Sequence, residues 1–284
     1  MRITALIRLL LVALAVTSGA ASTQASNEIR DARVLTFGIV PQESASRLAD
    51  QWTPLMRYLS DRMGVSVRFM TAPDIPTFEQ RVLEGHYDIA YMNPYHYVEF
   101  SQTPGYRAIV REGDKRIRGL VVVPETMAAE SLEDLEGKTI AFPAPAAFAA
   151  TILVRAELER LSINYQPRFV GSHESVYLNV SKGFAAAGGG IERTFNSALK
   201  EGLSGVRVLW RSEGFTPHAF AAHPNLDDRR KEAFRNLLIG LADSEEGRAL
   251  LARANLGRLI RAEDSDWNDI RALGLEFIKT SGAP

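Results

Sequence analysis

Apolar runs of β character alternate with segments of helical period along most of this chain, and that alternation limits the fold more than any other feature. Val34–Val40 (VLTFGIV) is a β-type run closed by Pro41. In Ala49–Met63, Trp52, Leu55, Met56 and Leu59 fall on one helical face, and Gly64 supplies a stop. Val65–Met70 is the next strand, so the first three elements make a βαβ unit. Its crossover implies a parallel sheet covered on both faces. Pro76–Glu84 reads as a helix stopped by Gly85, and Tyr87–Met92 as a third strand. Pro94 then opens a helix at a position that tolerates proline.

A second series follows. Gly119–Val123 is a strand, Ser131–Leu135 a short helix capped by Ser131, and Thr139–Phe142 a strand. The loop Pro143–Ala147 leads to a helix from Phe148 to Leu161. Pro167–Val170 is a strand, Glu174–Ser181 a helix ending before Gly183, and Val206–Trp210 a strand. From Asp227 the chain is helical, with a last segment around Trp267–Ile278. Two such series predict two α/β lobes, each a mainly parallel sheet flanked by helices. The chain crosses over near Arg116–Leu120 and returns near Ser212–His218. The expected division is 33–117 with 214–284 as lobe 1, and 118–213 as lobe 2.

Composition removes several function classes. With 46% hydrophobic residues and a net charge of −1, the chain has ample core and no global field directed at nucleic acid or an anionic membrane. It has no cysteine, which excludes disulfides, thiolate metal sites, a cysteine nucleophile and a lipid-bearing N-terminal cysteine. Arg2 and Arg8, the apolar run 9–16 and the small residues after it have the three-part pattern of a secretory signal, with cleavage expected after Ala21 or Ala25. The apolar run is too short to span a membrane. The mature protein is therefore expected to be soluble in the periplasm.

Catalytic motifs are scarce. There is no G-x-S-x-G, H-E-x-x-H, Walker loop or EF-hand pattern, and His86, His96, His173, His218 and His223 lack metal-ligand spacing. No catalytic residue, metal site or cofactor is expected. The informative places are strand-to-helix junctions, because ligands of parallel α/β sheets bind beyond the strand C-termini, where helix N–H groups favour anions. Tyr91-Met92-Asn93-Pro94-Tyr95 is one junction, Pro143–Phe148 with Ala146 and Ala147 a second, and Ser172-His173 a third. Gly188-Gly189-Gly190 reads as a fourth loop, where backbone approaches a ligand closely. Each has a plainer reading: packed tyrosines, a rigid turn, an N-cap at Ser172 and a tight glycine turn.

At these junctions the sequence resembles the phosphate/phosphite/phosphonate-binding proteins of ABC transporters. The motifs are FGIVP, W-x-P-L-M-x-Y-L, G-x-Y-D-I-A-Y-M-N-P-Y-H-Y, L-E-D-L-E-G-K-T-I-A-F-P and G-S-H-E-S-V-Y-x-x-V, in order over residues 33–275. The resemblance implies a type II periplasmic-binding fold with a two-strand hinge. It implies that Tyr91, Asn93 and Tyr95 line the cleft from the first lobe, with Glu43 and Ser44 at its rim. Ser172 and His173 would line it from the second.

Two departures from that family bear on the ligand. The loop after Thr139–Phe142 has no hydroxyl before Thr151, and Ala185–Gly190 stands where an aspartate is common. Backbone N–H groups from Ala146 to Phe148, and the side chains of Arg193 and Thr194, are the candidate replacements. The implied function is capture of a small oxyanion by hinge closure, as a monomer that delivers to an importer permease. A partner of a membrane histidine kinase is the alternative. A periplasmic hydrolase is the remote one, since only Ser172 and His173 would serve and chain neighbours rarely point at each other.

Overall fold

The computed structural model describes residues 34–274. The expected signal segment and the end of the last predicted helix lie outside them. The first series is β1 (Leu35–Ile39), α1 (Ala45–Met63), β2 (Val67–Met70), α2 (Ile75–Leu83), β3 (Ile89–Met92), α3 (Pro94–Gln102) and β4 (Arg107–Glu112). The second is β5 (Gly119–Pro124), β6 (Thr139–Phe142), α4 (Leu153–Arg160), β7 (Gln166–Phe169), α5 (His173–Ser181), β8 (Ala187–Ile191), α6 (Glu192–Lys200) and β9 (Val206–Arg211). The chain then completes the first sheet with β10 (Ala219–Ala222) and β11 (Leu259–Arg261). α7 (Asp228–Gly240), α8 (Glu245–Arg253) and α9 (Asn268–Arg271) pack around it.

The first sheet has six strands in the order β11-β4-β10-β3-β1-β2, and the second has five in the order β7-β6-β8-β5-β9. Each is α/β and contains a parallel trio of strands. β1 pairs in parallel with β2 and β3, and β6 with β7 and β8. The remaining strands run antiparallel, β10 between β3 and β4 and β5 between β8 and β9. Sequence periodicity does not reveal β4, β10 or β11. β10 is Ala-Phe-Ala-Ala, buried on both faces between two neighbours, so it shows neither alternation nor β-branched residues.

The glycine run is a correction. Gly188, Gly189 and Gly190 are not a loop but the middle of β8, every residue of which is buried. A Cβ on Gly188 would lie 2.4 Å from Val176, one on Gly189 1.9 Å from the Ala150 carbonyl oxygen, and one on Gly190 2.5 Å from the Tyr177 hydroxyl. These glycines let a helical turn and α5 sit directly on the strand. The predicted helix from Phe148 is also modified. It opens with a π turn, Phe148–Ile152, before α4 begins. The wider turn carries the Ala149 and Ala150 carbonyls against Gly119 and Gly189.

Two extended segments join the sheets, one between β4 and β5 and one between β9 and β10. They are bridged by Ile117 and Phe215, whose N–H and C=O groups exchange two 2.9 Å hydrogen bonds. Arg116 binds Thr216 at 3.2 Å and Asp269 at 3.0 Å. The indole N–H of Trp267 donates to the Pro217 carbonyl at 3.0 Å. The C-terminal segment thus pins the two connecting strands to the first sheet.

Candidate functional site

The C-terminal ends of β1 and β3 face the starts of the helices that follow β6, β7 and β8. Between them lies a cavity of about 10 Å³, roughly the room of one water-sized sphere. Val40, Gln42 and Asn93 line it from the first sheet's side, and Ala147–Ala150 and His173 from the second's; His218 closes it at the connecting strand. Phe148, Ala149 and Ala150 are the first turn of their helix, where N–H groups have no acceptor inside the helix.

Beside this cavity, and not among its lining residues, is Arg193, in the first turn of α6 at the end of β8. Its guanidinium reaches across to the first sheet, donating to the Tyr91 hydroxyl at 2.8 Å and to the side-chain oxygen of Gln42. The guanidinium carbon also lies 5.5 Å from the centre of the Tyr91 ring. Among the described residues, no carboxylate is within ion-pair distance of it; Glu43 and Glu112 act on it only at longer range. Gln42 donates in turn to Nε2 of His218 at 2.9 Å. The His218 ring stacks on Tyr91 with centroids 5.0 Å apart. A cation is thereby held between the two halves by neutral acceptors alone.

Two histidines share its field. Burial first, and then the positive charge of Arg193, push His173 down to about 3. Burial, then Arg193, His96 and His173, hold His218 well below the ordinary range. Both rings are therefore neutral at pH 7. Nδ1 of His173 is buried with no hydrogen-bond partner, a cost a native structure sustains only with reason. Burial also raises Glu43, against the opposing pull of Arg193.

The sequence-predicted residues separate into three groups. Tyr91, Asn93, Ala146, Ala147 and His173 meet at the interface between the halves. Asn93 caps α3 by accepting from the His96 N–H at 2.8 Å and donates across to the Ala146 carbonyl at 3.0 Å. Ser172 sits at the edge; its hydroxyl accepts from the Ser175 N–H and donates to the Ser175 hydroxyl, so it caps α5. Tyr95 and Gly189 line neither this cavity nor a larger one of 460 Å³ that adjoins the connecting strands at Arg116–Arg118 and Pro217. Tyr95 is buried in the first turn of α3, its phenol pushed up to about 12 by burial and then by Glu99 and Glu79. Gly189 lies beneath the π turn, for the packing reason given above. Thr194 faces the second core, its hydroxyl 2.7 Å from that of Tyr177. Gln42 and His218 escaped sequence reasoning.

Comparisons with known proteins converge on one group. The family described as "ABC transporter, phosphonate, periplasmic substrate-binding protein" matches residues 37–267. A phosphate-import protein of Mycolicibacterium smegmatis is 23% identical over 257 residues, 76% of each chain. The phosphonates-binding periplasmic protein of Escherichia coli is 23% identical over 270 residues, 86% of this chain and 76% of its own. Among solved structures, PhnD1 of Prochlorococcus marinus in complex with methylphosphonate superimposes with a TM-score of 0.80. It shares 18% identity and covers 87% of this chain and 98% of its own.

Proposed function

The chain belongs to the family of periplasmic substrate-binding proteins of phosphonate ABC transporters, and from that premise we propose that it captures a phosphoryl or phosphonyl anion between its lobes. The observation that carries this reading is Arg193, a guanidinium between the halves with only neutral acceptors. Taking such a cation out of water is costly unless an anion completes it. His173 Nδ1 and the N–H groups of Phe148–Ala150 supply further donors where the relevant loop has no hydroxyls. Tyr91, Asn93, Ala146, Ala147 and His173 are the contacts proposed around the anion, with Ser172 orienting the turn that presents His173. The lobes proposed to close are 33–117 with 214–284, and 118–213.

The partner proposed is an importer permease that receives the loaded, closed form. Delivery to the periplasm fits a cleaved N-terminal signal, and among the described residues no helix is long and apolar enough to cross a membrane. A binding role without catalysis is supported by the Ser172 hydroxyl, which is spent on Ser175 instead of pairing with His173. The test is thermal stability against phosphate, phosphite, methylphosphonate, sulfate and arsenate. A ligand at 100 times its Kd adds about 2.7 kcal/mol, and at the same concentration Arg193→Ala is expected to reduce this to about 0.4 kcal/mol. Failure of every oxyanion to stabilise the protein would overturn the reading.

A further inference from the structure

We propose that the cargo is an organic phosphonate or phosphate ester with a second anionic group, and that a cavity beside the connecting strands receives that group. This rests on the reading that Arg193 holds the first. The space between the lobe ends, about 10 Å³, does not admit an organic anion. Next to it lies a cavity of 460 Å³, within the range of pockets that enclose small organic ligands. Ile117, Ile191 and His218 line both, and Arg193 with Tyr91 forms the near wall of the larger one. A ligand with its head on Arg193 therefore directs its substituent there.

The chemistry of that cavity is set by one face of α6. Arg193, Asn196, Ser197 and Lys200 are spaced i, i+3, i+4 and i+7, so they form a single stripe, and all four line the cavity. The opposite face of α6, Thr194, Phe195 and Ala198, is buried. Lys115, Arg116 and Arg118 face the stripe from the connecting strand, giving five cationic side chains against Glu112 and Glu192. Glu112 is already engaged by Lys115 at 3.0 Å and by the Gly257 N–H at 2.6 Å. Arg116 is paired with Asp269. Among the described residues Lys200 has no ion-pair partner, seven positions along the stripe from Arg193. The surplus is positive, and it selects a carboxylate or a second phosphoryl group over an alkyl or ammonium tail.

Calorimetric titration with matched ligands tests this. Propylphosphonate, 2-carboxyethylphosphonate and 2-aminoethylphosphonate share a length and differ in tail charge, and methylphosphonate reports the head alone. The carboxyethyl compound is expected to bind about tenfold tighter than the propyl compound, with the aminoethyl compound weakest. Lys200→Ala should remove the tenfold advantage and leave methylphosphonate affinity unchanged. Equal binding of carboxyethyl and propyl compounds, or an equal loss for every ligand in Lys200→Ala, overturns the second subsite and leaves the anion site standing. Absence of binding by all four overturns both.

Discussion

At the scale of single residues, the proposed anion site turns on Arg193 and the neutral groups around it. Hydrogen bonds to charged groups are worth about 1.5–3 kcal/mol each, so Arg193→Ala should weaken anion binding about 100-fold. Arg193→Lys keeps the charge but loses the two-point grip on Tyr91 and Gln42, and should fall about tenfold; titration calorimetry separates the two variants. His173 sets a pH dependence. In the folded protein it titrates near 3 instead of 6.5, so below pH 6.5 the unfolded chain takes up a proton that the folded chain refuses. Its contribution is complete above pH 6.5 and is lost as pH falls toward 3, by at most about 1.4 kcal/mol per unit. His218 acts in the same direction. Urea titrations from pH 7.5 to 4.5 should show falling stability, with a shallower slope in His173→Gln.

At the scale of elements, β8 explains both what sequence reasoning reached and what it missed. The strands with apolar β-type runs, such as Val121–Val123 and Ile140–Phe142, are legible because their burial is written in side chains. β8 is written in the absence of side chains: glycine is depleted from strands, so three in succession read as a turn. With Gly188–Gly190 read as a loop, nothing in the sequence marks Arg193 as lying at a strand's C-terminal end, where functional residues gather. Asn93 and His173 were accessible because proline and an N-cap announce their helices. Gln42 follows a proline and His218 ends a connecting segment, and their roles arise only when the two halves meet. Gly189→Ala should cost about 3 kcal/mol or more, because backbone, not a flexible side chain, occupies the space. Gly240→Ala, whose added Cβ has no neighbour nearer than 3.9 Å, should be neutral or slightly stabilising. Paired thermal melts of the two variants make the comparison.

At the scale of the molecule, three sets of polar contacts among the described residues join the halves beside their shared apolar packing: Arg193 with Tyr91 and Gln42, Asn93 with the Ala146 carbonyl, and Arg47 of α1 with the second half. Arg47 pairs with Glu174 at 3.7 Å and with Glu201. Partly exposed pairs of this kind contribute about 0.2–1 kcal/mol. Arg47→Ala should therefore shift the population toward open forms, enlarge the radius of gyration in X-ray scattering without ligand, and lower affinity by up to about fivefold. The connecting strands, clamped by Arg116, Asp269 and Trp267, are the axis about which the proposed closure would turn. The glycine strand bears on descent as well as on packing. Every substitution at 188–190 adds at least a methyl group where none fits, so the floor of the second sheet is closed to drift. On the proposed reading, heritable change in cargo would run instead through the polar stripe of α6 and the ends of β1 and β3, where one anion could be traded for another without rebuilding the protein beneath them.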